Sequence, residues 1–308
     1  MLLKLMPVKK HILWGGDKLS REYGIGDKGE KVAEAWQLTC RSDGDNVIEN
    51  GEYAGKAFSE FVRDNPESIG TKNTFDRFPL LIKLIDAGAD LSIQVHPNDD
   101  YARLHTKELG KTEMWYIVEA EKGARIAYGL KRKYSRKELE KAIEEGKLEE
   151  YVNYVNVKAG ETYFIPSGTV HAICAGLLIA EIQQDSNITY RVYDYNRRQP
   201  DGSLRQLHIE DALNVIETVD PSEIEYKSYD DVIAECRFFK VRVIENPEDE
   251  VIDVNEESFL HIMCVEGSVS VSDEGGSAVV NKGGSLFVPA SNGKTTMTGK
   301  GKIVVTTL

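Results

Sequence analysis

The sequence contains little cysteine, with four residues of this type in a chain of 308. The four are far apart and none forms a CxxC pair, so the pattern does not indicate a disulfide framework. A chain of this length can bury a sufficient core without cross-links. We therefore expect reduced thiols and a cytoplasmic protein.

Long apolar runs are also missing from the sequence. No segment approaches the roughly 20 apolar residues that are needed to span a bilayer. The N-terminal run 1–10 has only a few apolar residues before Pro7 and no small-residue cleavage site after it, which does not fit a signal peptide. No membrane partner is expected.

Basic residues are fewer than acidic ones. The chain has 38 Lys and Arg and 51 Asp and Glu, which gives a formal net charge of −13. Binding to nucleic acid requires a basic surface, so no nucleic-acid partner is expected. A small anionic substrate is not excluded, since surface charges are screened beyond about 8 Å at physiological salt. One cleft can be positive within an acidic protein.

What the sequence does contain is mainly short runs of β-branched and aromatic residues, separated by Gly, Pro, Asn or Asp. Such runs in the first two thirds of the chain predict the strands Leu80–Asp86, Leu91–His96, Glu113–Glu119, Ala124–Leu130, Tyr151–Val157, Thr162–Pro166, Leu177–Gln183 and Ile188–Tyr195. Many short strands with few helices between them favour an all-β sandwich or barrel over a βαβ sheet.

Helical patterns are few and lie in the N-terminal part. Ala57–Asn65 and His208–Glu217 predict two helices, and Arg136–Glu149 predicts a third. Ser135 can cap the third helix, and Glu138, three residues later, completes a capping box.

The length favours about two domains. The acidic segment Asp220–Glu235 reads as a connector between them. After it come strand-like runs only: Phe238–Glu245, Phe259–Val265, Ser268–Ser272, Ala278–Asn281, Ser285–Pro289 and Lys302–Leu308. We therefore divide the chain into a larger domain, residues 1–235, and a smaller C-terminal β domain, residues 236–308.

A weak internal repeat relates the two parts, since Gly160–Pro166 resembles Gly283–Pro289 in its glycine turn, aromatic-bearing strand and proline. Five residues after the first proline stands His171, whereas Lys294 occupies that place in the second copy. If the repeat reflects two related barrels, only the first retains metal-ligand chemistry.

Candidate metal ligands lie on three predicted strands. Alternation along Leu91–His96 places Gln94 and His96 on one face, Glu113 begins a later strand, and His171 follows a Pro–Gly turn. Together they offer nitrogen and oxygen ligands for one divalent ion. Taken singly, each side chain has an ordinary explanation: a histidine that only forms a hydrogen bond, or a glutamate that is a solvated edge charge.

Six segments carry a resemblance to a known family: Trp14–Gly16, Ala35–Trp36, Leu91–Asp99, Lys111–Trp115, Pro166–Ile173 and Leu178–Asp194. In this order, from about residue 11 to 200, the chain resembles type I mannose-6-phosphate isomerases, more closely their short bacterial form. The resemblance implies two cupin-like jelly-roll β-barrels. The larger domain would be the catalytic cupin with small helical insertions, and the smaller one a degenerate cupin without metal ligands.

The implied activity is a metal-dependent isomerisation of mannose 6-phosphate to fructose 6-phosphate through an enediolate, with a sugar phosphate as the small-molecule partner. One zinc ion per chain would be held by His96, Glu113 and His171, with Gln94 as the fourth ligand. Arg191 matches the active-site arginine of the family, and either stabilisation of the enediolate or binding of the phosphate suits its charge.

Further polar residues have roles that the sequence leaves open. Lys111 falls on the strand face of Glu113, where proton transfer, substrate binding or a solvated loop position are all compatible with the pattern. Asp194 is a weaker candidate for a base. Arg197 and Arg198 are either an exposed basic pair or phosphate ligands.

Two other functions stay open, because cupins host many activities. Two histidines and one carboxylate also form the facial triad of non-haem iron oxygenases, and a non-catalytic sugar-phosphate-binding cupin would keep the same residues. A dinucleotide site is not indicated. Gly24–Gly29 satisfies GxGxxG, but it follows the charged, non-strand segment Asp17–Tyr23, and we interpret it as a surface loop.

Overall fold

The computed structural model describes residues 1–199, 201–217 and 226–308. The strands of the first half are β1 (Leu3–Met6), β2 (Val8–Lys10), β3 (Glu34–Leu38), β4 (Cys40–Arg41), β5 (Gly44–Asp45), β6 (Val47–Ile48), β7 (Leu80–Ala87), β8 (Ile93–Val95), β9 (Glu113–Ala120), β10 (Arg125–Leu130) and β11 (Val152–Asn156). Those of the second half are β12 (Thr162–Ile165), β13 (His171–Ile173), β14 (Leu177–Gln184), β15 (Tyr190–Tyr193), β16 (Lys227–Tyr229), β17 (Val232–Glu235), β18 (Lys240–Glu245), β19 (Glu250–Val254), β20 (Leu260–Asp273), β21 (Gly276–Asn281), β22 (Ser285–Val288) and β23 (Gly293–Thr307). The prediction of a mainly β chain is confirmed.

Helices are short and confined to the first 215 residues of the described chain. They are α1 (Lys18–Glu22), α2 (Phe58–Asp64), α3 (Asp99–His105), α4 (Arg136–Glu144) and α5 (Ile209–Val215), with 3₁₀ turns at Gly51–Tyr53, Pro66–Ile69 and Leu148–Glu150. The three predicted helices are therefore present. Helix α4 is shorter than predicted, because Gly146 adopts a φ of 66° and the chain continues as a 3₁₀ turn. None of the described helices is long and apolar enough to cross a membrane.

The chain forms two compact units: unit 1 contains Met1–His11, Asp17–Leu84 and Tyr226–Leu308, and unit 2 contains Ile12–Gly16 and Ile85–Glu225. The predicted boundary after residue 235 stays a prediction. Of the predicted connector, residues 220–225 lie outside the described residues. Its remainder contains β16 and β17, which are strands because β17 pairs with β18.

Unit 1 is built on one large sheet. Its strand order is β16-β17-β18-β23-β20-β22-β1-β6, with β19 paired to β23 and β21 paired to β20. Alternate residues of these strands form a buried apolar cluster that includes Leu260, Ile262 and Val305. Burial of such side chains is the main stabilising contribution to a β core.

Strand β20 joins two segments that the sequence pattern separates at Gly267. This residue has a φ of 66°, and a Cβ atom there would lie 2.1 Å from the carbonyl oxygen of Lys300. The glycine therefore bends one continuous strand, with a register shift between Cys264 and Glu266, instead of ending it.

Unit 2 carries the candidate ligands on two sheets. One sheet has the order β11-β10-β13-β8-β15, and in the other β9 lies between β12 and β14. In the part of the chain that the structure describes, the strands form open sheets, so the expected jelly-roll barrels are not closed by hydrogen bonds. The cupin assignment follows from comparison with known proteins below.

The repeated segments form equivalent strand pairs within their own units. Strand β12 pairs with β9 so that Ile165 lies opposite Glu113, and β22 pairs with β20 so that Val288 lies opposite Leu260. The pairing places the apolar Leu260 where the first copy has the carboxylate of Glu113.

Candidate metal and substrate site

Three elements of unit 2 bring the candidate ligands together. His171 begins β13 and lies directly opposite Gln94 of β8. His96 follows β8 by one residue, and Glu113 begins β9 in the other sheet. The polar face predicted from alternation in Leu91–His96 thus meets the carboxylate.

The side chains of His96, Glu113 and His171 form a compact buried cluster. Each offers one ligand atom, and these atoms lie within 4.8 Å of one another. The two Nε2 atoms are 3.1 Å apart. The carboxylate oxygens of Glu113 lie 3.6 Å from Nε2 of His96 and 3.5 Å from Nε2 of His171.

The surroundings of His171 favour a neutral imidazole with a lone pair on Nε2. Its Nδ1 lies 2.8 Å from the carbonyl oxygen of Thr169, an acceptor that requires the proton on Nδ1. Burial lowers the pKa of His171 to about 4. Orientation of a histidine ligand by a backbone carbonyl is the usual arrangement around bound metals.

Lys111 lies against the carboxylate. Its Nζ is 2.9 Å from Oε2 of Glu113 and 3.9 Å from Oε1 of Glu181, and only 4% of the residue is exposed. Of the three roles left open by the sequence, the solvated loop position is wrong. Its backbone N–H donates to the carbonyl oxygen of Pro97, which fixes the chain just before β9.

Glu181, on β14, is a site residue that sequence reasoning missed. Its Oε2 accepts a hydrogen bond of 3.1 Å from Nε1 of Trp115, whose ring contacts the imidazole of His171 edge-on at 5.4 Å. The sequence does contain a sign of its role, because Glu181 is the single ionisable residue in the apolar strand Leu177–Gln184, which is fully buried.

The charges of this cluster fit a divalent cation. Glu113 and Glu181 are buried carboxylates, Lys111 is the cation beside both, and His171 is neutral. Two imidazoles and one carboxylate are ligands that zinc and similar divalent ions accept in proteins.

Gln94 lies at the edge of this cluster. Its amide nitrogen is 3.4 Å from Nε2 of His171, and its Oε1 is 3.5 Å from Oγ of Ser92. Rotation of the amide by half a turn would present the oxygen to the imidazole side. This position is compatible with a fourth ligand.

Arg191 lies on β15, beside the strand β8 that carries Gln94. It lies opposite Gln94 in the β15–β8 pair, and its Nε and Nη1 donate to Oγ of Ser92 at 3.3 Å and to the carbonyl oxygen of Gln206 at 2.9 Å. Burial, and then the neighbouring positive charge of Arg205, lower the pKa of Arg191. Two guanidinium groups close together favour an anionic ligand.

The remaining candidates have other partners. Asp194 pairs with Arg205 at 3.4 Å, which gives this buried carboxylate a structural partner. Arg197 donates to the carbonyl oxygen of Asp90, and Arg198 donates to that of Gly202. Arg197 is partly buried, whereas Arg198 is exposed, as expected for one member of a solvated pair.

Comparison with known proteins identifies the family of this chain. Residues 2–131 match the model described as phosphomannose isomerase type I, catalytic domain, and residues 232–308 match mannose-6-phosphate isomerase, cupin domain. The chain is 41% identical over 243 residues to mannose-6-phosphate isomerase ManA of Bacillus subtilis (strain 168), covering 76% of each protein. The chain belongs to the type I phosphomannose isomerase family.

Solved structures agree with this membership. The mannose 6-phosphate isomerase from Bacillus subtilis matches with a TM-score of 0.90 and 34% identity over 99% of both chains. A zinc-bound mannose 6-phosphate isomerase has the same fold, with a TM-score of 0.80 and 15% identity over 99% of this chain and 98% of that one. The predicted family, cupin fold and isomerase class are confirmed, and the oxygenase and binding-protein alternatives are not favoured.

Proposed function

We propose that this phosphomannose isomerase family member interconverts mannose 6-phosphate and fructose 6-phosphate, with one zinc ion per chain held by Gln94, His96, Glu113 and His171. The observation that supports it is the buried cluster of two imidazoles and one carboxylate, with Lys111 on that carboxylate. The reduced thiols support a cytoplasmic location, since all four cysteines are free.

The reaction moves a proton between C1 and C2 of the open-chain sugar and places negative charge on oxygen in the enediolate. When bound, the metal ion supplies electrostatic stabilisation for that charge. Lys111 holds a proton in a buried position between two carboxylates, from which it can donate to a substrate oxygen. Burial of these side chains strengthens each of these electrostatic interactions.

Arg191 binds the anionic part of the substrate in this proposal. Its hydrogen bonds to Ser92 and to the backbone of Gln206 orient the guanidinium before substrate arrives, which lowers the entropy cost of binding. A phosphate group can accept two parallel hydrogen bonds from one guanidinium, which favours phosphate over an enediolate as its ligand.

The test is turnover of mannose 6-phosphate to fructose 6-phosphate by zinc-loaded protein, in the wild type and in His171→Ala. We expect the variant to lose bound zinc and at least about 100-fold in kcat/KM, because a metal ligand is removed. His105→Ala is the matched control, since His105 is an exposed histidine of the same unit, stacked on Tyr101.

Three results would contradict the proposal. Unchanged activity in His171→Ala would remove the assigned site. A calorimetric signal for mannose 6-phosphate without turnover would favour a binding protein. Oxygen consumption dependent on bound iron would favour the oxygenase.

A further inference from the structure

The loop that leads into β9 carries Lys111, and protein groups hold its backbone at each position from 109 to 112. The carbonyl oxygen of Leu109 accepts a hydrogen bond of 2.7 Å from Oγ of Ser186. The N–H of Lys111 donates to the carbonyl oxygen of Pro97 at 2.9 Å. The backbone groups of this loop are thus satisfied within the protein, although the loop has no regular secondary structure.

Two side chains hold the residues on either side of Lys111. Oδ1 of Asp99 accepts a hydrogen bond of 2.9 Å from the N–H of Gly110. Oε1 of Gln184 accepts a hydrogen bond of 2.9 Å from the N–H of Thr112. The two side chains are also joined to each other, since Nε2 of Gln184 donates to Oδ1 of Asp99 at 3.0 Å. Asp99 and Gln184 together are here named the Asp99–Gln184 bridge.

The chemistry of the bridge decides which way the amide of Gln184 points. The N–H of Thr112 requires an acceptor, and the carboxylate of Asp99 requires a donor. Only the orientation with the amide oxygen toward Thr112 satisfies both groups. Gln184 is 2% exposed, and its own N–H donates to the carbonyl oxygen of Thr112 at 3.2 Å. The side chain that holds the loop is therefore itself fixed at its backbone.

The other end of the bridge depends on a close approach at Gly110. A Cβ atom on Gly110 would lie 2.4 Å from the backbone nitrogen of Asp99, so glycine permits the loop to pass this close to the start of α3. Asp99 is the first residue of that helix, and the preceding Asn98 caps it by accepting a hydrogen bond from the N–H of Tyr101. The Asp99 carboxylate is thus presented from a capped helix end.

A fixed backbone matters for Lys111 because its ammonium group stands at the end of a flexible four-carbon chain. Its Nζ lies 2.9 Å from Oε2 of Glu113. A single charged contact defines the place of the ammonium group only if the backbone that carries the side chain does not move. Neither Asp99 nor Gln184 is a proposed metal ligand, so the bridge can be altered without removing a group that meets the metal.

We infer that Asp99 and Gln184 are positioning residues, which fix the backbone on both sides of Lys111 and so keep its ammonium group on Glu113. The inference rests on the proposed function for the role of Lys111, whereas the place of the ammonium group can be measured without turnover. A displacement of about 1 Å at a reacting group can cost about 100-fold in rate. The bridge therefore acts on kcat through Lys111.

The first measurement is steady-state turnover of mannose 6-phosphate by the full-length, zinc-loaded protein. Asp99→Ala removes the acceptor that Gly110 and Gln184 share. We expect kcat to fall at least about tenfold, as is typical when a group that orients a site residue is lost. KM and zinc content should stay nearly unchanged. Asp99→Asn keeps an oxygen acceptor at this place and should restore most of kcat.

Asp100→Ala is the matched control. Asp100 is the next residue in the first turn of α3, but it is exposed and pairs with Arg103 at 3.0 Å. Its removal takes one acidic residue from the same helix end and should leave kcat unchanged. If Asp99→Ala does not fold, Gln184→Met provides the same comparison, because it removes the acceptor of Thr112 and keeps a side chain of similar length.

A double variant distinguishes positioning of Lys111 from a general structural effect. Residues that act through one another have non-additive effects. If the bridge acts through Lys111, Asp99→Ala should lower kcat much less in the Lys111→Arg background than in the wild type. An equal fold-loss in both backgrounds would overturn the inference.

The second measurement does not need turnover. An amine-acylating reagent modifies lysines at rates that mass spectrometry follows, and the exposed Lys122 serves as the internal reference. Relative to Lys122, Lys111 should react several-fold faster in Asp99→Ala than in the wild type, because a loosened loop exposes the ammonium group more often. Asp99→Asn and Asp100→Ala should react as the wild type does.

Failure of the inference and failure of the proposed function give different results. Wild-type protein without turnover, in which Lys111 reacts faster only after Asp99→Ala, would contradict the proposed function and support the positioning. A labelling rate of Lys111 that is the same in the wild type and in Asp99→Ala would overturn the positioning, whatever the turnover.

Discussion

At the residue scale, the centre of the molecule's chemistry is a buried carboxylate with three nitrogen neighbours. Glu113 is fully buried, and it lies beside His96, His171 and Lys111. Such a group is costly unless it is paired, so each neighbour contributes to stability as well as to the proposed reaction. A substitution in this cluster must therefore be chosen so that its effect on stability can be told apart from its effect on the reaction.

Lys111 permits this separation. We expect Lys111→Arg, which keeps the positive charge beside Glu113, to retain zinc and folding but to lose at least about 100-fold in kcat, because guanidinium does not exchange its proton near neutral pH. KM for mannose 6-phosphate should change much less. Steady-state kinetics with metal analysis of the purified variant provide the measurement.

Lys122→Arg serves as the control for Lys111→Arg, since Lys122 is an exposed lysine in the turn between β9 and β10. Its kinetics should match the wild type. If Lys111→Arg kept the wild-type kcat, a role for Lys111 in proton transfer would be wrong.

The sequence predicts some residues of the site better than others. Gln94 and His96 followed from strand alternation, and their common face is the one that meets His171. Lys111 was ambiguous, because sequence spacing does not report burial. Glu181 was missed, since its contacts with Lys111 and Trp115 depend on the pairing of β14 with β9.

At the element scale, helix α4 shows how local sequence chemistry fixes a boundary. The Ser135 hydroxyl accepts from the N–H of Glu138 at 3.3 Å, and the Glu138 carboxylate accepts from the N–H of Ser135 at 2.8 Å. Both residues needed for this capping box lie within four positions, so the sequence predicted it correctly.

Removing the cap should lower stability measurably. We expect Ser135→Ala to reduce the free energy of unfolding by about 1 kcal/mol, because the first turn of α4 loses a hydrogen-bond acceptor. Urea unfolding followed by circular dichroism is the measurement. Lys137→Ala, in the same turn, should leave stability nearly unchanged, and an equal loss in both variants would contradict the role of the cap.

The same cap predicts a pH dependence. The hydrogen bond from the backbone of Ser135, and then the contact with Arg132, lower the pKa of Glu138 from 4.5 to about 2. A carboxyl with a lowered pKa stabilises the fold above its unfolded value and loses that contribution as pH falls toward its folded value. The stability difference between wild type and Glu138→Gln should therefore shrink between about pH 4.5 and pH 2. A difference that stayed constant over this interval would contradict the prediction.

Strand boundaries were harder to predict than strand positions. The glycine at position 267 separates two apolar runs in the sequence, yet β20 continues through it because β23 pairs with it on both sides of the bend. A local pattern does not distinguish a strand end from a bulge, since both favour glycine.

At the scale of the whole molecule, the net charge of −13 and an anionic substrate are compatible because the relevant charges are local. Bound zinc would add positive charge to the cluster that contains Lys111, and Arg191 lies opposite Gln94 on the neighbouring strand. Their field at the site is short in range, whereas the acidic surface is screened by salt.

The sign of the salt effect tests this explanation. We expect kcat/KM for mannose 6-phosphate to fall by a few-fold, on the order of two to five, as ionic strength rises from low to physiological values, since local attraction is weakened. Steady-state kinetics at fixed pH give the value. A rise in kcat/KM with salt would mean that repulsion by the acidic surface dominates.

The sequence by itself determined the β class, three of the five helices that the structure describes, the capping box and most residue types of the site, because these depend on periodicity and on neighbours within a few positions. Only the tertiary structure decided which side chains meet. His96 and His171 are 75 positions apart, and strand pairing brings their Nε2 atoms to 3.1 Å. The register between distant strands brings these histidines together. It also buries Lys111 and places Glu181 beside it, and local sequence preference does not encode this register.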